Sequence, residues 1–211
     1  MNVIDWGWIA RHTDDIWALL LQHVQLAGLA LLFGSAIAFP LALAAVRWPR
    51  LYGPIIGTTA VLFAIPSLAL FILLIPYTGL SKATSLIGLT VYSLLILVRN
   101  MVEGLRGVPT AVVDAARGMG FTRRQLLSRV EVPLALPVIM AGVRIAAVTV
   151  IGLVTITALI GQGGLGSLFI TGFQRDFATP VIVGFVGSVA LAVAVDLLLV
   201  LVQRVLTPWK R

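Results

Sequence analysis

The sequence predicts an all-α integral membrane protein with about five transmembrane helices. Of its 211 residues, 60% are hydrophobic and only 11% are charged, whereas a soluble domain has about 25% charged residues. The mean hydropathy is +1.08, and the apolar residues fall in long stretches separated by short basic segments. Because a helix satisfies its own backbone hydrogen bonds inside a bilayer, these stretches are expected to be helical spans.

Five apolar stretches are candidates for the spans. A bilayer core of about 30 Å needs roughly 20 apolar residues in a helix, and four stretches reach that length. The third is apolar only over residues 86–98, so it can span only if Lys82 and Arg99 extend toward the two interfaces. Pro40 and Pro66 are expected to kink their helices. The predicted spans are residues 24–46, 55–75, 86–102, 133–160 and 181–202.

The basic residues predict the orientation of the chain. With the N-terminus outside, eleven of them lie in inner segments and three in outer segments, and Arg144 lies inside a span. This asymmetry follows the positive-inside rule, so the chain is expected to be N-out and C-in, with residues 107–132 in the cytoplasm. The inner residues are Arg47, Arg50, Arg99, Arg106, Arg117, Arg123, Arg124, Arg129, Arg204, Lys210 and Arg211, and the outer ones are Arg11, Lys82 and Arg175.

The composition also excludes several other kinds of protein. Cysteine is absent, which excludes thiol redox chemistry and zinc-finger ligation, and no metal or cofactor is expected. The net charge of +7 could suggest a nucleic-acid partner, but the arginines are spread over loops, so none is expected. Three aspartates in the first twenty residues argue against a cleavable signal peptide. Without an internal repeat or a long linker, residues 1–211 are predicted to form one transmembrane domain.

Residues 107–132 predict a helix–turn–helix on the inner face. Pro109 suits the first position of a helix, where a missing N–H costs nothing, and the glycines after residue 117 can end that helix. Thr122 and Gln125 have the spacing of a capping box for a second short helix, over residues 123–130. The charged side chains expected to be exposed are those of Asp114, Arg117, Arg123, Arg124 and Arg129.

The same segment reads Asp114-Ala115-Ala116-x3-Gly120-x9-Val130-x-Val132-Pro133, a spacing that resembles the EAA coupling signature of bacterial ABC-importer permeases. Asp114 stands where the family has Glu, and two valines stand for Ile and Leu, while Gly120 and Pro133 are kept. Pro133 is expected to begin the fourth span. A basic loop that merely obeys the positive-inside rule would explain the arginines but not this spacing. The resemblance implies contact with an ATPase through Asp114, Ala115, Ala116, Arg117, Gly120, Thr122, Arg123, Arg124 and Pro133.

Other stretches resemble the permeases of quaternary-amine osmoprotectant importers, which carry glycine betaine, choline or carnitine. The resemblance covers about residues 24–208 and rests on runs such as Ile65-Pro66-Ser67-Leu68, Arg117-Gly118-Met119-Gly120 and Gly161-x-Gly163-Gly164-Leu165-Gly166. It implies a type I binding-protein-dependent permease in the bacterial inner membrane. It also implies a second permease subunit, identical or paralogous, two cytoplasmic ATPase subunits and an extracytoplasmic substrate-binding protein.

Other functions remain as alternatives to an osmoprotectant permease. Methionine-type permeases share much of the glycine-rich run, so a permease for methionine or another small solute is the first alternative. An ATP-independent channel or carrier is less favoured, because the chain lacks the repeated halves with paired broken helices of secondary transporters. The sequence has no Gly-x4-Gly-Lys-Ser/Thr phosphate loop, so the subunit itself is expected to be non-catalytic.

Two opposite charges lie within the predicted fourth and fifth spans. Arg144 and Asp196 fall at comparable depths of antiparallel helices, and a lone charge in the bilayer is costly, so a salt bridge is predicted. The alternatives are that either charge lines the solute route, or that Arg144 extends to the inner interface.

Several other polar or aromatic positions carry weaker expectations. His23, at the outer end of the first span, is expected to be interfacial. Residues 161–166 are too rich in glycine for a rigid helix and are expected to form a tight outer re-entrant segment or loop. The candidates for the solute route are Phe63, Pro66, Phe71 and Tyr92.

Overall fold

The computed structural model describes residues 4–210, and this part of the chain is helical, with no strand. Arg211, counted above among the inner basic residues, lies outside the described residues, as do residues 1–3. The helices are α1 (Trp6–Arg11), α2 (Thr13–Arg47), α3 (Pro49–Ala64), α4 (Ser67–Thr78), α5 (Lys82–Arg106), α6 (Thr110–Gly118), α7 (Arg123–Leu126), α8 (Val132–Val154), α9 (Ser167–Arg175) and α10 (Ala178–Leu206). The predicted all-α class is confirmed.

Four helical stretches are long and apolar enough to cross a membrane. They are α2, α5, the stretch Arg123–Ile160 that contains α8, and α10. The α3–α4 pair is the fifth candidate, and its two helices meet at 95°. Four or five spans agree with the prediction of about five.

The second predicted span, residues 55–75, is not one straight helix. It breaks at Ile65, whose ψ of 130° lies outside the helical range, and α4 begins only after Pro66. A proline disfavours the helical conformation of the residue before it and has no N–H to donate. The position of the bend at Pro66 was therefore predicted correctly. Its size was not, because the 95° between α3 and α4 is far more than a kink.

The third predicted span, residues 86–102, was too short. Helix α5 has 25 residues and is the most deeply buried of the four long helices. Its polar side chains interrupt the apolar pattern, but they are buried inside the bundle, where Ser93 Oγ donates to Thr90 O at 2.7 Å. Because α5 packs against α2, α3, α4 and α8, it does not need an apolar surface on every side.

Close approach of α2 and α5 depends on small residues along α2. Gly34 lies so near α5 that a Cβ atom there would be 2.1 Å from Ser93 Oγ. Small residues let transmembrane helices approach closely, which increases packing where no hydrophobic effect separates helix from lipid. The buried small residues of α2 recur every three or four positions: Ala27, Ala30, Gly34, Ala38, Ala42 and Ala45.

One end of this bundle is rich in arginine. At this end Arg106, the last residue of α5, donates from Nη2 to Ala45 O of α2 at 3.4 Å, and its guanidinium lies 4.2 Å from the ring centroid of Tyr52 on α3. Arg106 of α5 therefore contacts both α2 and α3. We call this the basic end, defined by Arg47, Arg106 and residues 107–132.

A candidate coupling site and an intramembrane ion pair

Helix α6 begins next to Pro109 and ends at the glycines that follow residue 117, as the sequence predicts. It begins after Pro109, which caps the helix with an extended ψ of 128° rather than occupying its first turn. It ends at Gly118, and two residues later Gly120 has a left-handed φ of +82° and donates its N–H to Arg117 O at 2.9 Å. A residue without Cβ adopts that conformation with little strain. The expected role of Gly120 in ending the helix is confirmed.

Helix α6 exposes a charged side and buries a small one. Arg117 Nη1 lies 3.3 Å from Asp114 Oδ1, and the two side chains are 64% and 68% exposed. Ala115 is also exposed, whereas Ala116 is only 2% exposed. A salt bridge this exposed contributes little to stability, so Asp114, Arg117 and Ala115 form a surface that another molecule can contact.

The capping box is present. The Thr122 N–H donates to Gln125 Oε1 at 2.8 Å, and the Gln125 N–H donates to Thr122 Oγ1 at 3.4 Å. These reciprocal bonds satisfy two N–H groups that a helix start would otherwise leave unpaired. Arg123 and Arg124, the first two residues of α7, are exposed.

The second short helix, predicted to end before Pro133, instead continues into the next span. Helix α7 passes into a π-helical turn, Leu127–Glu131, and then directly into α8. Within the turn the Val132 N–H bonds to Leu127 O, five residues back. Pro133 has no N–H for the carbonyl four residues back, and the wider turn accommodates that loss without ending the helix. Pro133 is therefore inside a continuous helix rather than at its start.

Arg144 and Asp196 form a bidentate salt bridge between α8 and α10. Arg144 Nε lies 2.7 Å from Asp196 Oδ1, and Arg144 Nη2 lies 2.9 Å from Oδ2. Each side chain is about one-third exposed, at 32% and 30%. Two parallel hydrogen bonds between charged groups fix orientation as well as proximity. The alternative in which Arg144 extends to the interface does not describe this arrangement.

The four candidates for the solute route do not share one surface. Phe71 is fully buried and packs on Gly88, where a Cβ would lie 2.4 Å from Phe71 Cε1. Tyr92 is 4% exposed, and its hydroxyl donates to Ile65 O at the break between α3 and α4. Phe71 and Tyr92 are thus core residues in this conformation, and their place on a solute route stays a prediction. Phe63 and Pro66 are exposed, and the Phe63 ring lies 5.8 Å from that of Tyr92.

His23 is buried, not interfacial. Its side chain is fully enclosed, with Nε2 2.9 Å from Ile151 O. The end of α8 tightens so that the Thr155 N–H bonds to Gly152 O at 3.3 Å, and Ile151 O accepts the bond from His23 instead. The sequence offered no direct signal for this contact, because the partner is a backbone carbonyl 128 residues away.

The glycine-rich run packs against His23. Residues 161–166 are not a regular helix, as expected: Gly164–Gly166 forms a 3₁₀ turn, residues 161–163 form a tight connection before it, and most of the run is buried. Gly164 has a φ of +50°, and a Cβ there would lie 2.7 Å from His23 Cβ. Gly166 lies still closer to Thr155, where a Cβ would be 2.4 Å from the carbonyl oxygen. Glycine is therefore required at both positions for packing, and at Gly164 for backbone conformation as well.

Comparison with known families decides what kind of protein carries this arrangement. Residues 30–211 match the family described as "Binding-protein-dependent transport system inner membrane component". The chain belongs to this family. The predicted resemblance to importer permeases is confirmed, and so is the location in the inner membrane.

Several curated members of this family are similar to the chain over most of their length. The osmoprotectant import permease protein OsmW of Salmonella typhimurium is 39% identical, over 90% of this chain and 91% of that protein. The choline transport system permease protein OpuBB of Bacillus subtilis is 35% identical, over 89% and 86%. The carnitine transport permease protein OpuCB of Listeria monocytogenes is 36% identical, over 89% and 86%.

Two solved ABC-transporter structures have the same fold. The chain superposes on an inward-facing structure of the MetNI methionine ABC transporter with a TM-score of 0.80, at 24% identity, over 89% of this chain and 94% of that one. An amino acid ABC transporter gives a TM-score of 0.75 at 19% identity, over 95% and 98%. The predicted permease fold of ABC importers is confirmed.

Proposed function

We propose that this chain is the transmembrane permease subunit of an ATP-driven importer for quaternary-ammonium osmoprotectants such as glycine betaine, choline or carnitine. The solute class is supported by the relatives, whose names specify osmoprotectants, choline and carnitine. The mode of action is supported by one structural observation. Helix α6, ended by Gly120, is joined through a capped turn to a helix that runs unbroken into the membrane.

The orientation that fits this function is N-out and C-in, with residues 107–132 in the cytoplasm. It is supported by the basic end, where Arg47 lines one cleft with Arg117, Arg123 and Arg124 and where Arg106 bonds to Ala45 O of α2. Cytoplasmic segments carry an excess of Lys and Arg. Residues 1–211 then act as one transmembrane domain.

The coupling step follows from the stiffness of this connection. Helix α6 seats in a groove of a cytoplasmic ATPase, in contact through Asp114, Ala115 and Arg117. ATP-driven closure of two ATPase subunits moves α6, and the capped, continuous α7–α8 stretch transmits that movement to the fourth span. A flexible loop would absorb the displacement. The subunit itself hydrolyses nothing, and the solute passes at the interface with a second permease, identical or paralogous.

The ion pair and the extracytoplasmic partner complete the proposal. The Arg144–Asp196 bridge holds α10 on α8, so that the two helices move together when α8 is pushed. A separate binding protein delivers the solute. Selectivity for a quaternary ammonium is attributed mainly to that protein, because aromatic cages suit such cations.

Cross-linking tests the coupling contact. The chain has no cysteine, so single cysteines introduced at exposed sites report one position each. Ala115→Cys on α6 is expected to capture the ATPase subunit in intact cells. Leu80→Cys, 67% exposed at the opposite end of α5 from Arg106, is the matched control and is expected to capture none.

Two results would overturn the proposal. If Ala115→Cys does not capture an ATPase, the coupling role is wrong. If cells import labelled methionine but not glycine betaine, choline or carnitine through this system, the solute class is wrong while the coupling role stands.

A further inference from the structure

A cleft of about 870 Å³ lies at the basic end, between the C-terminal part of α2 and residues 117–131. Its lining is of two kinds, arginines from α2 and from residues 117–124, and apolar side chains from α2 and from residues 121–127. We call it the basic cleft. Its lining residues are Pro40, Leu43, Ala44, Val46, Arg47, Trp48, Arg117, Phe121, Arg123, Arg124, Leu126, Leu127 and Glu131.

The charges of the basic cleft are unbalanced. Four guanidinium groups line it together with one carboxylate, that of Glu131. Arg117 is paired with Asp114, but among the side chains of residues 4–209 neither of the two salt bridges includes Arg47, Arg123 or Arg124. Three guanidinium groups without an ion-pair partner therefore face one carboxylate, which favours an anionic ligand.

The basic cleft also extends into the apolar part of a span. Pro40 precedes Arg47 by seven residues, which is about 10 Å along α2 at 1.5 Å per residue. Both residues line the cleft, so its wall runs from a charged rim into the hydrophobic length of the helix. A soluble ATPase cannot reach that depth, and a free phosphate ion would use only the rim. A ligand with an anionic head and an apolar tail fits both parts.

We propose that the basic cleft binds an anionic phospholipid. The phosphate of the headgroup contacts Arg47, Arg123 and Arg124, and an acyl chain lies along the side of α2 that carries Pro40 and Leu43. Basic pockets between transmembrane helices at the cytoplasmic side are suited to anionic headgroups. Trp48, 56% exposed and part of the lining, lies where an indole ring is favoured at the membrane interface.

The fluorescence of Trp48 can report whether a lipid occupies the basic cleft. The full chain is placed in nanodiscs of phosphatidylcholine that contain a small fraction of phosphatidylglycerol brominated on its acyl chains, since bromine quenches nearby indoles. The signal of Trp48 is the difference between the native chain and Trp48→Phe. Brominated phosphatidylglycerol is expected to quench Trp48 at a lower mole fraction than brominated phosphatidylcholine does.

A matched pair of variants tests the arginines. Arg47→Gln is expected to reduce the preference for phosphatidylglycerol about fivefold, the effect of one basic residue near an anionic surface. Arg50→Gln removes the same charge three residues away, from an exposed residue that does not line the basic cleft. It is expected to reduce the preference clearly less than Arg47→Gln does, because it removes surface charge but no contact in the basic cleft.

Four outcomes would overturn the proposal. Equal quenching by the two lipids would mean no headgroup selection, and equal losses for Arg47→Gln and Arg50→Gln would mean surface charge without a site. If millimolar inorganic phosphate abolishes the preference for phosphatidylglycerol, the arginines of the basic cleft bind a free phosphate ion instead of a lipid. Suppression by added ATPase subunits would make the basic cleft part of the ATPase seat. The proposal goes beyond the transport function, and the cross-linking from Ala115 is read independently of it.

Discussion

Arg144 on α8 and Asp196 on α10 are joined by two hydrogen bonds, of 2.7 and 2.9 Å, between two strongly apolar helices. Helix α10 lies at the edge of the bundle and packs on α8 and α9. Its most apolar stretch has no buried residue within the subunit. The ion pair is therefore a directional contact for α10, a helix that is otherwise little buried within the subunit.

Neutralising one member of this pair is expected to harm the protein more than neutralising both. Asp196→Asn leaves Arg144 charged and unpaired within the membrane, where charges are costly, so transport and the amount of folded protein should fall. Arg144→Gln should act similarly. The double variant Arg144→Gln with Asp196→Asn should recover folded protein, because no lone charge remains. Solute uptake and protein abundance are measured for all three.

The charge exchange separates a structural role from a role in the solute route. Arg144→Asp with Asp196→Arg restores opposite charges, so partial recovery of uptake is expected if the pair acts by holding α8 to α10. If both the exchanged and the doubly neutral variants fold but transport nothing, one of the two charges acts on the solute instead.

Gly120→Ala is expected to weaken coupling through backbone strain alone. At a φ of +82°, a Cβ costs roughly 1–2 kcal/mol, while no neighbouring atom lies within 4 Å of the added carbon. In the assembled importer, the ATP hydrolysed per solute imported should therefore rise. Gly118→Ala is the matched control, because its Cβ also meets no atom and its φ is not positive. Equal effects of the two variants would contradict the strain argument.

Thr122→Ala should loosen the turn between α6 and the fourth span. Loss of an N-terminal capping side chain costs about 0.5–2 kcal/mol, and here it also removes one half of the reciprocal bond with Gln125. Hydrogen exchange at residues 123–126 should become faster, and transport should fall in parallel. Thr122→Ser keeps the hydroxyl and should behave like the native chain. Unchanged exchange in Thr122→Ala would show that the cap does not hold this turn.

Local chemistry made most of residues 107–132 predictable from the sequence. A positive φ at Gly120 and the box formed by Thr122 and Gln125 involve residues within a few positions of one another. The continuation through Pro133 was missed because a π turn has no simple sequence signature. The position of a proline identifies where a helix must adjust, but not whether it stops or widens.

The tertiary environment determined the features that the sequence did not reveal. Helix α5 was predicted too short because its polar residues were taken as the limits of a lipid-facing span, whereas they are buried against other helices. His23 was predicted to be interfacial because its partner, Ile151 O, becomes available only when the end of α8 tightens. The burial of Phe71 was not predicted, because it depends on its close contact with Gly88 of another helix. The hydrophobicity of a side chain does not show whether it faces lipid, another helix or a cavity.

The contact between Gly34 and Ser93 provides a test of how closely α2 and α5 pack. A Cβ at position 34 would lie 2.1 Å from Ser93 Oγ, with Leu97 Cδ1 and Ser93 Cβ next, at 3.1 and 3.3 Å. Gly34→Ala should therefore push the helices apart or force the serine hydroxyl from its bond to Thr90 O. Overpacking of this kind costs typically about 1–3 kcal/mol, so the thermal midpoint in detergent should fall.

Ser93→Ala is expected to rescue that loss in part. Removing Oγ eliminates the shortest contact, while the two contacts beyond 3 Å remain and can relax by small side-chain shifts. The double variant should thus be more stable than Gly34→Ala alone, and the interaction between the two substitutions should exceed the roughly 0.5 kcal/mol within which independent sites add. Gly28→Ala, on the same helix with no atom near its Cβ, should be neutral and unaffected by Ser93→Ala. Strict additivity of Gly34→Ala and Ser93→Ala would mean that the helices do not approach as closely as this contact requires.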